Sequence, residues 1–241
     1  MKTIQIFALI FVANLIFTGS GFSQSWFGDG IKGEGSLVTE NLNLSRFDAI
    51  GLSINAEVYL TQGSQSVKIE AQKNIIDNIE TEVDGKYWKI KFKENVKKHE
   101  PIKIWISIPE LTSVAVSGSG DVVGKSMFKT DDLKLTVSGS GNISLDANSS
   151  SLRAAISGSG DMNLGGSTGD CDLKISGSGD MEAGELETKT CNIKISGSGD
   201  ASVHVNDSLE VSIAGSGGVV YSGNPKVRSK ISGSGDVTAK R

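Results

Sequence analysis

A four-residue phrase, Ser-Gly-Ser-Gly, returns along the second half of the chain and constrains the fold more than any other feature. It begins at Ser117, Ser138, Ser157, Ser176, Ser196 and Ser232, with Ala-Gly-Ser-Gly at Ala214. The successive steps are 21, 19, 19, 20, 18 and 18 residues. That period suits one coil of a β-solenoid and is short for a propeller blade. Aligning the repeats on the first Ser shows what each coil buries. One residue before it stand Val116, Val137, Ile156, Ile175, Ile195, Ile213 and Ile231. Three before it stand Val114, Leu135, Ala154, Leu173, Ile193, Val211 and Ser229. Polar residues such as Lys134, Arg153, Asp172, Lys174 and Lys230 fall between them. A period of two means strands with one buried face, and it excludes helix.

The same parity runs through the motif, so its two glycines face inward while Ser, Ser and Asp face outward. Both glycines are expected where the inner face narrows until only hydrogen fits. Residues 117–241 therefore read as an all-β parallel β-solenoid of 18–21 residues per coil. Residues 37–116 form an N-terminal β region with longer strands. There Val67 to Ala71 alternates cleanly, and Ile102, Ile104, Ile106 and Ile108 alternate before Pro109. Asp84-Gly85 is a two-residue hairpin signal between Ile79–Val83 and Tyr87–Phe92. A short helical turn fits Asn74 to Ile79. Ile50 to Leu60 lies on the repeat as a degenerate coil, with Ser53-Ile-Asn-Ala-Glu57 in place of Ser-Gly-Ser-Gly-Asp. No proline- or serine-rich linker parts the two halves, so one continuous core is expected.

Composition excludes several classes. Thirty glycines accompany only 3 prolines, which rules out collagen and proline-rich disorder. A formal net charge of −4 is too mild to imply a nucleic-acid partner. Met1-Lys2, the apolar run from Ile4 to Phe17 and the small exit residues Gly21 and Ser23 read as a signal peptide over 1–23. Residues 24–36 are expected to be poorly ordered. No stretch of the mature chain could cross a membrane as a helix, so the protein is expected to be exported to the periplasm, the outer cell surface or beyond.

Phe47-Asp-Ala-Ile50, Val58-Tyr-Leu-Thr-Gln-Gly63, the Asp84-Gly85 hairpin, Ile108-Pro-Glu-Leu111 and the repeating Ser-Gly-Ser-Gly-Asp together resemble the head GIN domain family. That family is named for auto-transporter adhesin heads and is common in Bacteroidetes. The resemblance spans about residues 40–241 and implies a secreted, right-handed parallel β-helix at the cell envelope. It carries no catalytic residues to transfer. No part of the chain reads as a translocator barrel.

Stacking coils about 4.8 Å apart turns each position into a ladder. One outward ladder joins Ser140, Ser159, Ser178 and Ser198. Beside it runs the carboxylate ladder of Asp121, Asn142, Asp161, Asp180, Asp200 and Asp236, with Gly218 interrupting it. Carboxylates at that spacing repel by about 1 kcal/mol per neighbouring pair in water, so something must offset the charge. Backbone N–H groups at the corner are one answer. A hard cation at Asp161, Asp180 and Asp200 is another, though Ca²⁺ wants about six to eight oxygens. A carbohydrate or envelope protein lying along the stripe is a third.

The alternative is a polysaccharide-processing enzyme drawing carboxylate pairs from this ladder. Such sites supply aromatic and basic neighbours, yet from Ser117 onward the aromatics are Phe128 and Tyr221, and the imidazole is His204. His204 is read as a lone surface group. No nucleophile elbow, phosphate loop or metal-binding His pair appears, so no enzyme activity and no cofactor are expected. Cys171 and Cys191 fall in equivalent inward slots of adjacent coils. Parallel Cβ vectors make a disulfide awkward, so two buried, reduced, stacked thiols are favoured. Lys86, Lys89, Lys91, Lys93, Lys97, Lys98 and Lys103 read as a solvated strand face and loop. An open end coil leaves self-association available.

Overall fold

The computed structural model describes residues 30–240. The signal-peptide reading of 1–23 lies outside the described residues. Within the described residues the chain is a parallel β-solenoid. Strand Asp132–Gly139 lies between Ser113–Gly118 and the second half of Asn142–Gly158, all parallel. The same side continues through the second halves of Met162–Gly177, Met181–Gly197 and Ala201–Gly215 to Lys226–Gly233. A second side runs from Asp121–Gly124 through the first halves of those long strands to Gly218–Gly223 and Asp236–Ala239.

On the first of these sides, register follows the repeat residue for residue. Leu135, Ala154, Leu173, Ile193 and Val211 stand directly opposite one another on successive coils. All five are buried. Fully burying one such aliphatic side chain is worth about 1.5–3 kcal/mol, so a one-residue slip that turned a ladder outward would be prohibitive.

The corner glycines have two different reasons, where the sequence implied one. Gly158 has φ of +132°, a conformation that an L side chain resists, and it bends the strand. Gly160 faces inward, and a Cβ there would sit 2.0 Å from the carbonyl oxygen of Gly141 and 2.8 Å from Val137 Cγ1. Close coil stacking, not narrowing alone, excludes a side chain. The carbonyl of Gly139 accepts two N–H groups from the next coil, Ser159 at 2.9 Å and Gly160 at 3.0 Å.

The degenerate coil is a full member of the stack. Ile50 and Leu52 lie opposite Val114 and Val116, and Glu57 and Val58 opposite Asp121 and Val122. Ile54 and Ala56, both buried, replace the two glycines. On its other side this coil pairs with Tyr87–Ile90 and Lys103–Ile108, also in parallel. Spatial order therefore departs from chain order: residues 49–62 lie between two segments that follow them. Ser66–Gln72 then pairs antiparallel with Lys103–Ile108, and Leu37–Leu42 antiparallel with Ser66–Gln72. The helix Lys73–Asp77 tucks Ile75 and Ile76 into the core. This end is thus closed by strands of reversed direction.

Two local expectations shift. The hairpin pairs Val83–Asp84 with Tyr87–Ile90, so Gly85-Lys86 forms the turn, one residue later than expected. Gly85, at φ +60°, takes the left-handed position that the turn requires. Within 24–36, Ile31–Lys32 forms a short parallel pair with Val96–Lys98 instead of lacking order. Gln72 helps hold this region: its side chain is buried, donates to the Gly35 carbonyl and accepts from the Glu100 N–H. At the opposite end, Lys226–Gly233 and Asp236–Ala239 have a strand on one side only among the described residues. Val227 and Ile231, on ladder positions buried elsewhere, are 37% and 41% exposed.

Candidate functional site

The carboxylate stripe has a definite hydrogen-bonding logic. Asp161 Oδ1 accepts the N–H of Asp180 at 2.9 Å, Asp180 Oδ1 that of Asp200 at 2.8 Å, and Asp200 Oδ1 that of Gly218 at 2.6 Å. Asn142 Oδ1 accepts the N–H of Asp161 at 2.9 Å. Asp121 Oδ1 receives both the backbone N–H and the Nδ2–H of Asn142, at 3.1 and 2.8 Å. Each member thereby caps the backbone of the coil above, and the acceptor role offsets much of the repulsion between neighbours. Asp236 lies past the Gly218 gap and turns instead to the hydroxyl of Thr238 at 2.7 Å.

One oxygen per carboxylate is therefore committed to the backbone, and nothing gathers Asp161, Asp180 and Asp200 around a common point. Among the described residues no group of three or more His, Cys, Asp or Glu side chains is placed to hold a metal ion. The hydroxyls of Ser140, Ser159, Ser178 and Ser198 lie on the exposed corner and have no protein hydrogen-bond partner among the described residues.

His204 is not alone. Its Nδ1 lies 2.9 Å from Ser222 Oγ on the next coil, and the ring is half-buried. Parallel register sets these two residues side by side, a pairing that alternation within a single strand could not reveal. Cys171 and Cys191 are directly opposite, buried and unbonded. Donation of the Cys171 S–H to Cys191, with burial adding to it, holds the Cys171 thiol well above the ordinary thiol range. In the lysine-rich stretch, Lys86 pairs with Asp48 at 2.9 Å and Lys93 donates to the Asp77 carbonyl at 2.9 Å.

Two features escaped the sequence. Tyr59 and Trp105, outward and in register, stack with ring centroids 5.7 Å apart. Lys68 Nζ lies 4.3 Å from the Trp105 centroid and Lys125 Nζ 4.8 Å from that of Tyr59. The rings are covered by one another and by the cations, so the four side chains form a clasp across strands of both directions. The Tyr59 hydroxyl donates to Glu57 at 2.6 Å, which raises its pKa. The second feature is a recess of about 550 Å³ on the other side of the corner, lined by Asn163, Glu182, Glu185, Ser202, Val220 and Tyr221. Its signal was already present in the unequal coil lengths.

This fold is shared by known structures. A crystal structure of a "putative adhesin" from Bacteroides fragilis superposes with a TM-score of 0.81 at 24% identity, covering 88% of this chain and 100% of that one. A "putative adhesin" from Parabacteroides merdae gives 0.72 at 24% identity, again over 88% and 100%. A "putative lipid binding protein" from Parabacteroides distasonis gives 0.74 at 22% identity, over 88% and 99%. At these identities the likeness is one of fold. No curated protein matches the chain. With an adhesin-like solenoid, its Ser-Gly-Ser-Gly-Asp corners and a family model matching residues 46–225, the chain belongs to the family described as "Putative auto-transporter adhesin, head GIN domain".

Proposed function

We propose that the chain is an exported, non-enzymatic module that acts at the cell envelope as an adhesive binding surface, taking a cell-surface glycan or an envelope protein as partner. Family membership over residues 46–225 carries this reading. The corner chemistry supports it: the most prominent carboxylates are occupied in joining coils, and the polysaccharide-processing alternative finds no support in the relatives. Among the described residues no helix is long and apolar enough to cross a membrane.

Protease treatment of intact cells, followed by detection of the chain, tests the location; complete protection together with a cytosolic fraction would overturn it. Incubating the purified protein with envelope polysaccharides should release no reducing sugar. Release abolished in Asp180→Ala would restore the enzyme alternative.

A second reading, favoured by the unpartnered hydroxyls of Ser140, Ser159, Ser178 and Ser198, makes the corner stripe itself a contact surface for a regular polymer. In it, Asp121, Asp161, Asp180 and Asp200 contribute the carboxylate oxygen not committed to the coil above, with Asn142 and Asp236 completing the row. Replacing Ser159, Ser178 and Ser198 by Ala leaves the Asp caps intact. Unchanged binding to every retained ligand would remove this reading.

A further inference from the structure

The coil that begins at Met181 is longer than the next one: the motif steps by 20 residues from Ser176 to Ser196, then by 18 to Ala214. The surplus is concentrated at one place. Ala183 lies opposite Val203 and Glu187 opposite His204, so Gly184, Glu185 and Leu186 have no partner on the following coil, and a slip between Thr188 and Thr190, where the following coil carries one extra residue, brings the net surplus back to two. Against the preceding coil the register also slips, between Asn163 and Gly165. A bulge of this kind re-aims side chains and releases backbone groups from the ladder. Leu186 still points into the core, while Gly184 and Glu185 are turned to solvent. The bulge overhangs the shorter coils and walls the recess, whose floor is the in-register row Asn163, Glu182, Ser202 and Val220.

The lining is chemically mixed. Glu182 accepts the Ser202 hydroxyl through one oxygen, leaving the other for a ligand. Glu185 has no protein partner among the described residues. Asn163 adds an amide that both donates and accepts. Tyr221 lines the recess while packing against the end of the core, and Val220 is 44% exposed beside it. Lys240 is the one cation in the lining among the described residues. Carboxylates that accept adjacent hydroxyls, an amide and apolar patches suit a polyhydroxylated ring, and the volume falls within the range of small-ligand sites. Two glutamates against one lysine disfavour a sulfated or sialylated one.

We propose that this recess binds a neutral or amino-sugar unit of a glycan. The proposal rests on the adhesive reading and gives it a site away from the corner stripe.

The test is a glycan array printed with neutral hexose, N-acetylhexosamine, sialylated and sulfated oligosaccharides, probed with the purified protein and followed by calorimetry on each hit. Neutral or N-acetylhexosamine glycans should be retained. The double variant Glu182→Gln, Glu185→Gln should weaken them by at least about tenfold without shifting the melting midpoint, since Gln can still accept from Ser202. The Lys89→Ala, Lys91→Ala variant, altered on an exposed strand face at the other end of the solenoid, should bind as the parent does. Binding that survives the double Gln variant overturns the recess but leaves the adhesive reading standing. A preference for sialylated or sulfated glycans overturns the assigned chemistry. Retention of no glycan overturns the proposal, and capture of an envelope protein would then uphold the adhesive reading alone.

Discussion

At the residue scale, the two corner glycines should respond to space and not to composition. Gly160→Ala would drive a methyl into the Gly141 carbonyl at 2.0 Å, and a loss above about 3 kcal/mol in denaturant unfolding is expected, in the range of severe backbone and packing defects. Gly184→Ala, whose new Cβ would find its nearest neighbour at 3.5 Å, should be close to neutral. The carboxylate ladder offers the converse experiment. Gly218 receives a cap from Asp200 but has no side chain to pass one on to the coil of Asp236. Gly218→Asn should stabilise by about 1 kcal/mol once the exposed Asp236 carboxylate, 2.9 Å from the new Cβ, turns aside, since Asn142 already accepts from above and donates below in the same slot. The thiol pair sets a pH dependence. The folded Cys171 pKa is raised, so its contribution is complete below the unfolded thiol pKa and is lost as pH climbs above it, while the unfolded chain ionises first. Stability should fall above about pH 8.5, by up to 1.4 kcal/mol per pH unit for that thiol. Cys171→Ala should flatten the part of the fall that Tyr59 and Tyr87 do not supply. An unchanged slope in thermal melts between pH 8 and 10 would exclude the thiol as its source.

At the scale of elements, the repeat was legible because burial alternates strictly in strands with one covered face. Val116, Ile156 and Ile213 announce their ladder without any knowledge of the neighbouring coils. The outward positions carry no such rule. Whether Asp180 binds a ligand, an ion or its neighbour's backbone depends on where the next coil's N–H lies, and that is a property of stacking. The His204–Ser222 contact and the Tyr59–Trp105 clasp were hidden for the same reason, since each joins residues brought together only by interstrand register. The recess was half legible. Steps of 20 and then 18 residues require a bulge somewhere in the longer coil, but only pairing places it at Gly184–Leu186 and sets Glu182 and Tyr221 beside it. The hairpin slipped by one residue because Gly85, and not Asp84, meets the demand for positive φ.

At the scale of the molecule, the two ends differ. One is closed by antiparallel strands and a helical turn. The other presents Lys226, Arg228 and Lys230 along an edge strand with Val227 and Ile231 half uncovered. Like charges on an open edge discourage strand-to-strand association. The protein should sediment as a monomer, and replacing the three cations by Ala should produce concentration-dependent assembly; a monomeric triple variant would show that the edge is blocked by other means. The placement of residues 49–62 between two later segments has a consequence of another kind, for the order in which the molecule can be made. A chain emerging N-terminus first cannot complete that coil until residues 87–124 have followed it, because both flanking layers come later in sequence. The closed end is thus a non-local nucleus that must assemble across long loops, the slow kind of folding step. Once it exists, every subsequent coil finds a finished template and needs only its immediate predecessor. Synthesis and winding can then proceed in the same direction, one coil at a time.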